Sequence, residues 1–598
     1  MSFKHVKIFS ICIVGLLSQV LSDVPSPRIH QPNIPYFLES IEFQTEQMNI
    51  FPQRVSGMVM DGYSDLQWNP AYILKQTGKS VYFDFNSQRG TPLYSIPLVT
   101  LYQNYSEYSN NLMVLPDWYS SSSVSTLQTT PLYNFSALLA VNPRLSIGFI
   151  NRSLFDYGPF RLSSNQNILL GDSYYGAWSA SPEPELKRME VDENQQMVSG
   201  NQSEIILGYK LTHSIDLGFR LGHFIFNREG NLYDSRWAID PHFSFADLND
   251  ETLKIDGDQL ELGVGLLYKL GNKTQFGVYA GINNGNGTEK ITSLDTSDTW
   301  SERDTDSTYY YIGEGYLDSK DTYTSAGKKP TITLTLERKL SDDFVLRSFL
   351  YSSKSNVDIN GAVSASDTTY GDRTYDTWNN QSDRYSFQRL ERHGSTASGM
   401  KGSGEEKKNQ WKWFISLIYA PGGSWSAFGG VQIQRYTFSQ TFEENSDYSK
   451  HNWYNYTGYI TEKDRWYNKQ VKYYSIESNY QEVSLLIPIG LKAKVLPGFN
   501  ILLGTNINMN LVDQNAEGKM VYAEKITRKW KDGTLIVDDE EFNRLEKYNS
   551  NPEKVFNRSV GYSFGLTYDH PSGAILFLRS RGDIFNTANW GLGFEMNF

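Results

Sequence analysis

The sequence predicts an all-β fold, a transmembrane antiparallel β-barrel of about 16 strands (14–18) with long outer loops and an N-terminal hatch-like segment. Three observations predict it. The chain ends on a strict alternation of apolar and small or polar residues, it carries a regular series of paired alternating segments, and the connections between these are by turns very short and very long.

The ending is the most specific of the three. Trp590, Leu592, Phe594, Met596 and Phe598 alternate with Gly591, Gly593, Glu595 and Asn597. Successive side chains of a strand point to opposite faces, so one face is wholly apolar. A tilted strand crosses a bilayer in roughly 9–11 residues, and the last nine suit that span. The ending resembles the closing strand of bacterial outer-membrane β-barrels. That resemblance implies that Phe598 is a C-terminal insertion signal read by the barrel-insertion machinery, with outer-membrane lipid as the other expected partner.

At the opposite end, residues 1–22 read as a secretory signal. Lys4 and Lys7 precede an apolar run from Ile8 to Leu21, and Val20-Leu21-Ser22 offers a cleavage site before Asp23. The run is too short for a spanning helix, which needs about 20 apolar residues. Cys12, the single cysteine, lies within it, so the mature chain would hold no disulfide, thiol nucleophile or Cys-ligated metal. The expected location is the bacterial outer membrane. The 598 residues are 39% hydrophobic, with a mean hydropathy of −0.48. A barrel gives such values because half of each strand faces the lumen. The 40 Tyr, 32 Phe and 13 Trp suit interfacial girdles. Losing Lys4 and Lys7 with the leader lowers 55 basic residues by two against 67 acidic ones, for a mature charge of −14, which argues against nucleic acid.

The barrel itself is expected over residues 79–598. Its hairpins read as 132–141/145–151, 203–212/215–226, 258–269/275–282, 330–338/344–352, 409–420/425–436, 481–494/499–509 and 558–568/574–580. Their turns fall on residues that tight hairpins favour, such as Gly271-Asn272 and Pro497-Gly498. Polar stretches of roughly 30–55 residues separate them, as outer loops separate the strands of such barrels. Seven hairpins and the terminal strand leave one strand to be found at the start. Ser80–Asn86 and the segment from Leu93 to Tyr102 both qualify, and the first is preferred. A soluble sandwich or propeller is disfavoured, because it needs neither aromatic strand ends nor a terminal Phe and no propeller repeat is visible.

Strand by strand, Leu260, Leu262, Val264, Leu266 and Tyr268 form a lipid-type face, as do Trp411, Trp413, Ile415, Leu417 and Tyr419. The opposite positions should line the lumen and carry both signs. Its candidate residues are Asp216, Arg220, Glu261, Lys269, Lys412, Lys492 and Lys494, either cross-paired or tuning selectivity.

Residues 23–78 precede the first strand and are Pro-rich at their start. Within them, Leu66-Gln-Trp-Asn-Pro-Ala-Tyr-Ile-Leu74 followed by Ser80-Val-Tyr-Phe-Asp-Phe85 resembles the entry to barrels of the long-chain fatty-acid transporter (FadL) family and related PorV-type proteins. The resemblance implies that Asn69, Pro70 and Ala71 form the turn that closes an N-terminal hatch, and that the route takes hydrophobic compounds. The lumen face read above is, by contrast, largely polar, and family members usually have fourteen strands.

No catalytic residue, cofactor or metal is assigned. Mature histidines are few, and His223 at a strand end has no recognisable Ser partner, so an interface role is expected. Carboxylates cluster at 227–257 and 283–328, but no EF-hand spacing occurs and a solvated acidic surface is expected. Tyr309-Tyr310-Tyr311 and Trp453-Tyr-Asn-Tyr456 suit loop packing better than sugar stacking. Two functions follow as expectations: a channel or transporter for a small solute, or a scaffold that binds partners through its outer loops.

Overall fold

Within the described residues, each segment of alternating character becomes a strand and each predicted turn joins a hairpin. The computed structural model describes residues 29, 31, 32, 34, 37, 38, 57–59, 61–76, 78–86, 132–161, 187–240, 243–303, 309–379, 384–422, 424–458, 461–549, 553–581 and 590–598. The leader, His30, His242 and the alternative first strand at Leu93–Tyr102 lie outside them.

The strands are β1 (Lys79–Asn86), β2 (Leu132–Asn142), β3 (Leu145–Arg161), β4 (Lys187–Lys210), β5 (Ile215–Asp240) and β6 (Phe243–Leu270). They continue as β7 (Thr274–Arg303), β8 (Tyr309–Lys339), β9 (Phe344–Asn379), β10 (Arg384–Tyr419), β11 (Trp425–Gly458) and β12 (Glu462–Leu496). The last are β13 (Phe499–Lys531), β14 (Thr534–Glu541), β15 (Arg544–Asn549), β16 (Glu553–Asp569), β17 (Ala574–Arg581) and β18 (Trp590–Asn597). All pairings among the described strands are antiparallel between chain neighbours, save at the seam and along β13. There β14, β15 and β16 each pair with a successive part of β13, so these three run end to end as one stave. The eighteen described strands are therefore sixteen staves.

The sheet closes on itself because β1 pairs with both β2 and β18. Phe83 faces Phe594 across the seam, and the terminal Phe598 exchanges backbone hydrogen bonds with Lys79 at 2.8 and 3.4 Å. Closure removes the unpaired edges that a spanning sheet cannot leave in lipid. The hairpin turns are tight: Gly498 takes φ +80°, a conformation that L side chains rarely adopt.

Large apolar side chains are exposed on the outer face next to these turns, including Leu260–Leu270 on β6, Phe276–Ile282 on β7 and Trp411–Leu417 on β10. This belt matches the faces read from the sequence. Beyond it the expectation of irregular outer loops needs correction. The polar stretches at 227–257, 283–328 and 353–408 largely continue the staves as paired strands, with β8 and β9 still in register at Tyr309↔Tyr375. The reason is chemical. Above the lipid neither face need be apolar, so hydrophobic alternation vanishes while Thr, Tyr and Val keep their preference for pleated backbone.

The wall is lopsided. β9 and β10 have 36 residues each, whereas β1, β17 and β18 have 8. At ~3.3 Å per residue the tall staves run roughly 120 Å along the strand and the short ones about 26 Å. The buried apolar groups form two clusters inside the barrel, one level with the belt and one above it, and both include residues from the N-terminal segment.

Candidate functional site

The lower cluster is built around residues 57–76. Two 3-10 turns, Ser64–Gln67 and Pro70–Lys75, carry Leu66, Ala71, Tyr72 and Ile73 into complete burial. The Asn-Pro-Ala step explains the second turn. Pro70 lacks the N–H that a first helical position leaves unpaired. Asn69 Oδ1 caps the turn by accepting from Ala71 N at 3.0 Å. Its Nδ2 donates to the carbonyls of Leu266 (3.1 Å) and Val278 (3.2 Å), so one side chain both starts the turn and ties it to β6 and β7.

The wall receives this turn on glycines. Gly208, Gly218 and Gly265 face one another directly across β4, β5 and β6. A Cβ on Gly218 would overlap the backbone of Pro70 and Ala71, and one on Gly265 would overlap Asn69 Oδ1. The inner segment thus lies against bare backbone. Trp68 completes the fit, with edge-on contacts to Phe349, Tyr351 and Phe414 at centroid distances of 5.7–6.0 Å.

Two buried arginines fasten the segment from the wall. Arg347 of β9 donates to Val59 O at 2.5 Å and to Asp65 Oδ2 at 2.9 Å, and reaches Glu337 at 3.5 Å. Arg220 of β5 donates to Gln67 O at 3.1 Å and to Leu66 O, filling carbonyls at the end of the first turn. It also pairs with Glu204 (3.4 Å) and Glu261 (3.3 Å), and Glu204 binds Arg152 at 2.9 Å. Glu261 accepts from Tyr279 Oη at 2.8 Å. Ser416 donates to Met58 O at 2.6 Å, and Lys75 bridges to Glu337 at 3.0 Å. Burial pushes the Asp65 carboxyl up to about 6, with Arg347 and then Lys75 pulling the other way. Burial also lowers Lys75, against the pull of Glu337.

Other residues singled out in the sequence lie elsewhere. Asp216 is fully buried and ion-paired to Lys269 at 2.7 Å. Lys412 lies 5.9 Å from the Tyr351 ring. Lys492 is half-buried and Lys494 exposed near the turn after β12. Phe598 is exposed as a side chain and acts at the seam through its backbone. His223 meets Asp258 at 2.7 Å on the exposed surface, and His393 stacks on Trp453 at 3.9 Å. Among the described residues no group of three acidic or histidine side chains is placed to hold a metal.

Sequence reading did not single out Arg347, Glu204, Tyr279, Asp65 or the glycines. Arg347 lies within a strand already read at 344–352, and a glycine in a strand interior marks a close backbone approach, so both signals were present.

A second part of the N-terminal segment fills the upper cluster. Ile29, Ile34, Phe37 and Leu38 are buried against Phe226, Ile255, Ile359 and Phe442, at a level above the lipid belt. Ile29 N donates to Glu444 at 3.1 Å and Leu38 N to Gln259 at 2.8 Å. The lumen is therefore occupied at two heights.

No protein-family model and no curated protein matches the sequence. Among solved structures, a Pseudomonas aeruginosa FadL homologue aligns over 93% of this chain and 98% of its own, at 9% identity and a TM-score of 0.29. The Pseudomonas putida toluene transporter TodX aligns over 69% and 99%, at 11% identity and 0.27. The Ralstonia pickettii toluene transporter TbuX aligns over 68% and 98%, at 9% identity and 0.23. At such scores no substrate and no residue role passes from them to this chain. On its own closed sheet of sixteen antiparallel staves with an apolar outer belt, the chain has the fold of a bacterial outer-membrane β-barrel.

Proposed function

We propose that this protein is an outer-membrane channel or transporter for a small solute, and that residues 57–76 are the hatch that controls passage. The observation that supports this reading most is the seat itself. The segment crosses the lumen at the level of the belt, yet it is held by a short set of side chains on a glycine surface rather than by strand pairing. Such a contact can be released without opening the barrel. The wider plan assigns residues 1–22 to a cleaved leader, 23–78 to the hatch segment and 79–598 to the barrel, with Phe598 read during insertion. A hydrophobic-compound route is the finer version that the likeness of the Asn-Pro-Ala entry to FadL implies.

The test is single-channel conductance of the refolded full chain against Arg347→Gln in a planar bilayer. A closed wild type with an opening variant supports a hatch. Wild type and variant that conduct alike would make the inner segment a passive filling, and silence from both, with folding confirmed by heat-modifiable migration, would remove transport.

The lopsided wall favours a second reading, a scaffold that binds a partner through its tall outer strands. Shortening the 283–328 hairpin would then abolish partner capture and leave conductance intact.

A further inference from the structure

The inner wall divides into two arcs. The charged arc, on β3 to β9, holds Arg152, Glu204, Arg220, Glu261, Glu337 and Arg347, all engaged with one another or with the hatch. Across the lumen the chemistry changes. A Cβ on Gly430 of β11 would meet Met58 of the hatch, so Gly430 faces inward, and with it Gln432 and Gln434 two and four positions on. Direct cross-strand partners share a face. Gln432 faces Leu486, which faces Asn508, which faces Ser559. One row further out, Gln434, Ser484, Asn510 and Asn557 are in line, and one row inward Asn506 lies between Pro488 and Gly561.

Apart from Leu486, the side chains of these rows are mostly neutral amides and hydroxyls, and some of them lack partners. Asn506 Nδ2, Asn510 Oδ1 and Ser563 Oγ are buried atoms with no hydrogen bond. Asn506 is only 2% exposed and Ser563 6%. A buried polar group left unpaired is costly, so such a row is expected to have something to bind. At its outer edge stand Tyr436 and Tyr480, edge to face at 6.0 Å, with Tyr480 donating to Glu482 at 3.0 Å.

We propose that this arc is the solute-binding face and that its solute is a neutral polyhydroxylated compound, an oligosaccharide in chemical class. A carboxamide offers a donor and an acceptor side by side, as vicinal hydroxyls require. Paired tyrosines next above the amides supply apolar faces for sugar rings. Lys412 beside Gln434 and Glu482 beside Tyr436 put one charge of each sign at the margin of this face, but the rows of Asn506, Asn508 and Asn510 carry none. An ionic solute would find no countercharge on them, and an apolar one would strand them unpaired. The proposal rests on the transport reading above and replaces its hydrophobic-compound version.

The test is calorimetric titration of the full-length protein in an amine-oxide detergent, which has no sugar head group, with maltotetraose, cellotetraose and chitotetraose, and with laurate as the apolar contrast. Saturable binding of at least one tetrasaccharide is expected, weakened about tenfold in Asn508→Leu and Asn510→Leu and in the isosteric Asn508→Asp. Binding of laurate alone, no binding at all, or saccharide binding unchanged in all three variants would overturn it. Conductance of Arg347→Gln, measured on the same preparation, separates the two readings. A conducting protein that binds no saccharide loses only this inference, whereas one that never conducts loses transport as well.

Discussion

Arg347 and Asp65 meet at 2.9 Å inside the barrel although 282 residues separate them in the chain. One belongs to the wall and the other to the inner segment, so this contact reports directly on whether the segment is seated. Both side chains are buried, and removing one partner of a buried pair costs about 3–5 kcal/mol because the other charge is left stranded. Arg347→Gln should therefore free the segment while the sixteen staves persist. Limited trypsin digestion should cut at Lys75 at least tenfold faster in the variant, with heat-modifiable migration unchanged.

The glycine seat makes a steric prediction. Gly218→Val places a side chain where Ala71 N now lies, and backbone cannot yield as a flexible side chain does. The segment should fail to seat and conductance should rise. Gly429→Ala is the control, since nothing lies within 4 Å of a Cβ built there, and it should match wild type.

Asn69 combines a cap with two wall contacts, and its variants should separate them. Asn69→Asp keeps the acceptor for Ala71 N and loses both donations to Leu266 and Val278, whereas Asn69→Ala loses all three. With about 1 kcal/mol for the cap and about 0.5–1.5 kcal/mol for each hydrogen bond, Ala should destabilise seating more than Asp. Hydrogen exchange at Ala71 and Tyr72 would rank them.

Seating should respond to pH through Asp65. Burial raises its carboxyl from 3.8 to about 6 when seated, and water would return it to the ordinary value when released. The seated state thus binds the proton more tightly, and the stabilisation is complete below about 4 and lost as pH rises through about 6. Channel openings should become rarer between pH 7.5 and 5 in wild type. Asp65→Asn should abolish that trend.

The seam depends on the last residue. Phe598 exchanges two backbone hydrogen bonds with Lys79, so deleting it should remove both and slow assembly. The measurement is the yield of heat-modifiable protein in isolated outer membranes, expected to fall several-fold, with refolding in detergent less affected.

Much of the architecture was legible in the residues. Leu260 to Tyr268 and Trp411 to Tyr419 alternate because lipid lies on one side only, and the turns at Gly271-Asn272 and Pro497-Gly498 mark where the chain must reverse. Those are local constraints, each visible within a dozen residues. The upper halves of the staves were not legible as strands, because above the lipid the outward face of Thr322–Ser325 and Ser353–Ser355 meets water rather than hydrocarbon and no hydrophobic period survives. The same alternation placed Asp216, Lys269, Arg220 and Glu261 inside, but not which of them pair, nor Glu204 and the inner-segment carbonyls that also meet Arg220.

By itself, then, the sequence pointed to about sixteen strands, the membrane-facing belt, the places where the hairpins turn and the turn at Asn69-Pro70, all set by periodicity and backbone chemistry over short distances. Only the tertiary structure decided that this turn rests on Gly208, Gly218 and Gly265, that Arg347 holds Asp65, and that the buried ion pairs gather on the arc from β3 to β9. Those facts depend on closure of the sheet, which brings residues hundreds of positions apart to one depth. No local pattern in the chain records that distance.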